Sequence, residues 1–185
     1  MERELVERAR RGDHDAFAVL AAATIDRLDA TARLILGDPD LAKDAVQEAL
    51  FRAWRELPTL RDPDRFQPWL RRTLVRCCFG EGRKRRRIRV EVELASIAEP
   101  RAAGDAPTWV AERDALERAF DRLAPEARAL IVLHHYLDLP LPEVAATLEV
   151  PLGTAKSRLH RATRELRAAL DADARDVPIL EGGRA

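Results

Sequence analysis

Asp44, Gln47 and Glu48 fall at positions i, i+3 and i+4 of an amphipathic run, so all three project from one helical face. A carboxylate, amide and carboxylate so grouped are raw material for a metal site or for acid–base chemistry. No His or Cys lies in the same run to complete a ligand set, and no nucleophile accompanies it. On residue types alone the triplet reads as a solvated acidic surface. Cys77 and Cys78 are adjacent and are the chain's two cysteines; such neighbours bond to each other only under strain, so they read as partly buried small residues. Adjacent side chains on a helix point apart, which makes His134-His135 structural. No carboxylate pair with a base and no glycine-rich phosphate loop is present. The expectation is a protein with no catalytic residue, no metal and no cofactor, which argues against a nuclease.

The basic residues point elsewhere. The formal net charge of the 185 residues is zero, yet the charge is segregated. Asp64 to Arg89 holds ten Arg or Lys against two acids, whereas Glu91 to Glu126 holds nine acids against four Arg. A basic block beside an acidic one is the footprint of a polyanion-binding surface on part of a molecule.

Helices must carry these groups, because apolar residues recur three or four apart and no segment alternates like a strand. A short charged helix around Leu5 and Val6 ends at Gly12-Asp13-His14. A long helix follows, with Phe17, Leu20, Ala21, Ile25, Leu28, Ala32 and Leu36 inward. Gly37-Asp38-Pro39 stops it and starts a third, carrying Leu41, Ala45, Val46, Ala49, Leu50, Ala53, Trp54 and Leu57. Pro58 to Pro63 is a loop. A fourth helix starts near Arg65, carries Phe66, Trp69, Leu70, Leu74 and Phe79, and runs into RKRRRIR at 83–89. Trp54 and Trp69 lie on inward stripes and are assigned to the core. Phe66, beside the loop, serves either the core or a nucleic-acid base.

Residues 91–108 lose any sustained stripe and are expected to be a flexible linker. Beyond it, Val110, Leu116, Ala119, Phe120 and Leu123 make one stripe, and Ala127, Leu130, Ile131 and Leu137 the next. A short helix is expected from Pro142 to Leu148, a break at Val150 to Gly153, and a last helix from about Thr154 to Leu170. Residues 171–185 are expected to be disordered. The fold class is therefore all-α: a domain over 1–90, the linker, and a second domain over 109–170.

The second domain holds the most informative stretch, LPEVAATLEVPLGTAKSRLHRATREL at 141–166. Leu141, Val144, Ala145 and Leu148 form one face of a short helix, and Ala155, Leu159, Ala162, Leu166 and Leu170 the inner face of a longer one. Two helices so joined by a tight turn make a helix-turn-helix. Lys156, Ser157, Arg158, His160, Arg161 and Arg164 are left facing outward, a mixture suited to phosphates and base edges.

Two motifs in order carry a family resemblance. PxGTxKSRLxRA at 151–162 resembles the recognition helix in region four of extracytoplasmic function (ECF) sigma factors, and DAVQEALFRAW at 44–54 is similar to region two. The resemblance implies a promoter-binding subunit of bacterial RNA polymerase. It gives Thr154, Lys156, Ser157, Arg158, His160 and Arg161 a role at the minus-thirty-five element. It gives Asp44, Gln47, Glu48 and Arg52 a role in docking on the beta-prime coiled coil of core polymerase, with the second domain meeting the beta flap. It also gives Arg65, Phe66, Arg71, Arg72, Arg76, Arg83 and Lys84, with the loop at 58–65, a role in capturing and melting the minus-ten element. Many family members have Asn at the position of Arg76 and Asp at that of Gly80, so a minus-ten base preference does not carry over. An anti-sigma factor is a further partner that the resemblance raises. Only the linker separates the two regions, which implies the minimal two-domain class. A free-standing helix-turn-helix regulator is the competing reading, but it leaves the acidic face and the basic helix without a use. The charged stretch Met1 to Arg11 and the lack of a long apolar run lead to the expectation of a cytoplasmic protein with no membrane partner.

Overall fold

The computed structural model describes the backbone of residues 1–93 and 108–175, with side chains over 1–85 and 115–173. Among the described residues there are eight α-helices and no strand. The span 94–107, the greater part of the expected linker, and the end of the tail at 176–185 lie outside the described residues.

Four helices make the first domain: α1 Glu2–Arg10, α2 His14–Leu36, α3 Pro39–Glu56 and α4 Phe66–Glu93. Local chemistry sets their ends. In α1, Glu2 and Glu4 open the helix while Arg8 and Arg10 close it, complementing the helix dipole. Asp13 caps α2 by accepting from the Ala16 N–H at 3.0 Å. Gly37 ends α2 in the left-handed region at φ +68°. Asp38 then caps α3, accepting from the N–H groups of Asp40 (3.0 Å) and Leu41 (3.1 Å), and Pro39 follows where a missing N–H costs nothing.

Ala42, Ala45, Ala49 and Ala53 are fully buried along α3. These small residues let α3 lie close against its neighbours α2 and α4. The inward stripe of α2 differs from the expected one. Ile25 is exposed, and Thr24 and Thr31 are buried instead, their hydroxyls donating to the carbonyls of Leu20 (2.9 Å) and Arg27 (2.7 Å). A helix carbonyl supplies the acceptor that makes a threonine tolerable there.

The second domain comprises α5 Thr108–Asp121, α6 Pro125–Ile131, a π turn at Val132–Tyr136, α7 Leu141–Leu148 and α8 Leu152–Arg175. Three boundaries depart from expectation. The fourth helix reaches Glu93, so it enters the expected linker; α8 starts two residues earlier than Thr154 and extends into the segment expected to be disordered. The extension is held where Asp173, buried, pairs with Arg118 of α5 (3.4 Å) and with Arg122 just past its end (2.5 Å). Leu116, expected inward, is exposed and borders an apolar groove of about 770 Å³ with Leu34, Phe120 and Tyr136.

The two domains do not stand apart. Ile35, Leu36, Val75 and Cys78 of the first belong to one continuous apolar core with Leu130, Val132, Leu133 and Val144 of the second. α6 packs on α2 and α4, and α7 on α4. Two glycines permit the approach. A methyl group on Gly37 would overlap the Arg128 guanidinium and the Asp121 carboxylate, and one on Gly82 would meet Pro125 Cγ at 3.3 Å. Arg128 cannot easily move away. It is buried, and it donates to the carbonyls of Leu123 (3.1 Å) and Asp121 (2.8 Å), closing the end of α5.

Candidate nucleic-acid interface

The three candidate surfaces rest on α3, α4 and α8. On α3, burial of the alanines turns Asp44 and Gln47 fully outward and leaves Glu48 half-buried. Glu48 Oε1 accepts from Arg52 Nε at 2.6 Å, one turn on, and this bond holds the Arg52 guanidinium above its ordinary pKa. Asp44, Gln47, Glu48 and Arg52 are thus brought together on one face. That face borders a groove of about 520 Å³ whose other wall is α4, with Arg76, Gly80, Arg83 and Lys84. Sequence reasoning missed Phe51, which follows Gln47 and Glu48 on the same face. Its ring is 58% exposed, with the Arg55 guanidinium 5.8 Å from its centroid. The helical spacing of Phe51 from Gln47 and Glu48 was the signal that could have found it.

On α4, Arg72, Arg76, Gly80 and Arg83 follow at intervals of four, four and three residues and make one stripe, with Arg71 beside it. The stripe serves two places. Arg83 and Lys84 border the α3 groove, and Lys84 pairs with Glu81 at 2.6 Å. Arg71 meets Glu143 of α7, and Arg72 and Arg76 meet Glu149 in the turn that follows it, Arg76 from the edge of the same groove. Arg71 lies 3.4 Å from Glu143, Arg72 lies 3.9 Å from Glu149, and Arg76 grips Glu149 with both Nε (3.2 Å) and Nη2. Arg71 is largely withdrawn from water, and burial lowers its pKa.

The loop before α4 is two short 3-10 turns, Leu57–Thr59 and Pro63–Arg65. Leu60 and Pro63 anchor it by burial, and Asp62 caps the second turn through the Asp64 N–H at 3.0 Å. Arg65 is exposed there, 3.9 Å from Asp62. Phe66 departs from the surface role it was given. It is 2% exposed, among the largest fully buried side chains, with its ring centroid 6.2 Å from that of Trp69. Its position at the first turn of α4 faces the core, so the ring offers no face to a base. Trp54 packs against His14 and Phe17, in keeping with its core assignment. Cys77 and Cys78 are buried, and burial pushes the Cys78 thiol up to about 12. His134 Nδ1 lies 2.9 Å from the Leu139 carbonyl; the π turn brings its ring within 4.7 Å of His135 rather than apart.

The helix-turn-helix forms as its sequence requires. Val144, Ala145 and Ala155 are buried where α7 meets α8, and a three-residue turn at 149–151 joins them. Glu149 closes α7 at φ +56°, a left-handed conformation that glycine adopts far more readily. Ala155 and Ala162 face inward on α8 while Lys156, Ser157, Arg158, His160 and Arg161 are all exposed. Thr154 is half-buried, and its carbonyl accepts from Ser157 Oγ at 3.0 Å. Arg161 pairs with Glu165 at 2.8 Å, one turn on, so it is steered along the helix.

An exposed basic recognition helix, a basic stripe and an acidic helical face on one all-α scaffold define a DNA-binding transcription factor with a protein-docking surface. The Sigma-70 region 2 family model matches residues 20–88, and that of Sigma-70, region 4 matches residues 113–166. The RNA polymerase sigma-E factor of Streptomyces coelicolor is 33% identical over 156 residues, 84% of this chain and 86% of that protein. The ECF RNA polymerase sigma factor SigK of Mycobacterium ulcerans is 31% identical over 91% of this chain and 92% of its own. Among solved structures, CnrH in complex with the cytosolic domain of CnrY is 30% identical, with a TM-score of 0.65 over 93% of this chain and 98% of that one. The chain belongs to the ECF family of RNA polymerase sigma factors. It is a transcription-initiation factor that binds core polymerase and promoter DNA and directs promoter recognition, and it is not an enzyme.

Proposed function

We propose that the three surfaces divide promoter recognition between them. The α3 face of Asp44, Gln47, Glu48 and Arg52, with Phe51 as its apolar member, docks on the basic coiled coil of the beta-prime subunit. The α4 stripe of Arg71, Arg72, Arg76, Arg83 and Lys84, with Arg65 at the loop, tracks the phosphates of the melted minus-ten strand. The α8 face of Thr154, Lys156, Ser157, Arg158, His160 and Arg161 reads the minus-thirty-five duplex, while its domain meets the beta flap. Within this division residues 1–90 form the region-two domain and 109–170 the region-four domain.

One observation carries the reading: an acidic helix and a basic helix form opposite walls of a single groove. Opposite charges on adjacent helices would be wasteful for a protein that binds only DNA. They suit one that must dock on a basic protein with one helix and hold a polyanion with the next. Charge complementarity of this kind fixes orientation and speeds encounter more than it adds affinity.

CnrH and the RpoE of Bartonella quintana were solved bound to CnrY and to the anti-sigma factor NepR. An anti-sigma factor is accordingly a partner to seek for this chain. Among the described residues no helix is long and apolar enough to cross a membrane. Work on RNA polymerase and promoter DNA makes the cytoplasm its place of action.

Replacing Asp44, Gln47 and Glu48 together by Ala should cut capture by immobilised core polymerase at least tenfold while the circular dichroism of the chain stays helical. Asp44 and Gln47 are exposed and Glu48 is half-buried outside the apolar core, so the fold should survive. Undiminished capture by a folded variant would reject the α3 face.

A further inference from the structure

We propose that Gly80 marks the closest approach between α4 and the minus-ten strand, where the sugar–phosphate backbone lies against bare helix backbone between Arg76 and Arg83. The proposal rests on the reading of the α4 stripe given above and adds to it a positioning residue that acts by having no side chain.

The fold gives reasons for three of the five described glycines. Gly12 and Gly37 have positive φ (+93° and +68°), and Gly37 also lies under the Arg128 guanidinium. Gly82 faces Pro125. A fourth, Gly153, lies in the first turn of α8, whose N–H groups have no partner within the helix, so the helix loses little by it. Gly80 differs from all of these. It stands in the interior of α4, its φ is not in the left-handed region, and a methyl group placed on it would meet nothing within 4 Å. Glycine is the least favourable residue after proline in a helix interior, because it gives up the most backbone freedom. Neither the conformation nor the packing of the free chain offsets that cost.

The surroundings of Gly80 supply the missing reason. Arg76 precedes it by one turn, and Arg83 and Lys84 follow at three and four residues, so long basic side chains stand on both sides of a notch. These residues line the α4 wall of the groove of about 520 Å³. A strand crossing α4 at the notch comes nearer to the helix than at any arginine of the stripe. Such close approach of a ligand to backbone is what glycine permits. Arg76 and Arg83 are seven residues apart, about 10 Å along the helix, so they hold phosphates on either side of the crossing.

Charge at the notch favours a polyanion over a basic protein. Of the three carboxylates that line the groove, Glu48 is paired with Arg52 (2.6 Å) and Glu81 with Lys84 (2.6 Å). The third, Asp44, belongs to the α3 wall. Arg83 is exposed and has no carboxylate partner among the described residues.

The test compares wild type with Gly80→Ala and Gly80→Leu, both replacements being good helix formers. The open space above Gly80 should let both variants fold, and Gly80→Ala should raise the melting temperature by about 2–4 °C. Holoenzymes are assembled from core RNA polymerase and each chain. Their affinity is measured for a labelled fork template, duplex upstream and single-stranded over the minus-ten element, taken from a start site mapped with this chain. Affinity should fall about threefold with Ala and about tenfold or more with Leu, as a growing side chain overfills the contact, while capture by core polymerase stays within about twofold of wild type.

The graded loss separates close approach from hinge flexibility, which Ala would remove as fully as Leu. Unchanged affinity in both variants overturns the proposal, and so does an equal loss in both. A matching loss of core capture also overturns it, because the close neighbour is then the polymerase. A Gly80→Ala chain less stable than wild type would give the glycine a role in the fold and overturn it too. Arg83→Ala is measured on the same template. A loss there with none in Gly80→Leu leaves the stripe standing and removes only the notch. If Arg83→Ala is harmless, the stripe loses that residue, and the Gly80 variants still decide the approach.

Discussion

Asp38 sits between Gly37, which stops α2, and Pro39, which starts α3. Its carboxylate accepts two backbone N–H groups and lies 3.1 Å from Arg85. The Leu41 N–H is the chief reason its pKa is held below the ordinary carboxylate value, with Asp40 and Arg85 adding to the effect against burial. A carboxyl depressed in the folded state stabilises the fold above its unfolded pKa and loses that contribution as pH falls through the folded one. Asp38→Ala should therefore lower stability by about 1 kcal/mol at pH 7, the usual worth of an N-cap. The difference from wild type should shrink towards zero below the ordinary carboxylate range. Thermal melts of both proteins at pH 7 and pH 3 measure this; an undiminished gap at pH 3 would assign the loss to something other than the carboxylate. Phe66 is decided at the same scale. With its ring in the core, Phe66→Ala should cost roughly 3–5 kcal/mol in urea unfolding. A variant as stable as wild type but defective with minus-ten DNA would return the ring to the surface.

At the scale of elements, α8 gives the sharpest expectation. Arg158 and Arg161 are neighbours on its exposed face, over the buried Ala155 and Ala162. Changing either to Ala should cost roughly 1–3 kcal/mol of duplex binding if it reads a base edge, with relaxed preference at that position. If it meets only phosphate, all sequences should weaken together and the slope of log affinity against log salt should fall by about one. Competition between a target promoter and one with a scrambled upstream element separates the two outcomes. Unaltered binding to both templates by Arg158→Ala and Arg161→Ala would remove α8 from the interface. Helices such as α8 were legible because their inner face repeats at three and four residues and their charge lies opposite. The acidic face of α3 was legible for the same reason. Three things were not. Thr24 replaces Ile25 in the core because a helix carbonyl satisfies its hydroxyl, a pairing that hydrophobic periodicity does not register. Helix α8 continues to Arg175 because Asp173 finds Arg118 on α5 and Arg122 just past its end, and such a tertiary contact has no local signature. Phe66 lies at the loop–helix junction, where its side-chain direction depends on the entry angle of α4 rather than on spacing.

At the scale of the whole molecule, charge segregation foretold a polyanion surface but not where its counter-charge would fold. The sequence places the nearest acids beyond the basic block at 91–126, whereas the described contacts to Arg71, Arg72 and Arg76 come from Glu143 and Glu149. Gly82 illustrates the same limit. Glycines near the end of a helix read as weakness, yet Gly82 leaves room for Pro125 of the second domain, 3.3 Å from where a methyl group would stand. Both cases depend on how the domains meet, and no periodicity within one helix encodes that. The resulting molecule unites an acidic docking face, a basic stripe and a recognition helix. Such a combination makes sense only if promoter choice is exercised through a polymerase. The most direct measurement is transcription on a genomic template with core RNA polymerase alone and with the chain added, followed by sequencing of transcript 5′ ends. The account predicts a small set of discrete starts that appear only with the chain, each preceded by the same two spaced sequence elements, and that vanish when Asp44, Gln47 and Glu48 are replaced together by Ala. A start pattern identical to that of core polymerase alone, from a folded chain that binds duplex DNA by itself, would contradict it and favour a free-standing helix-turn-helix regulator.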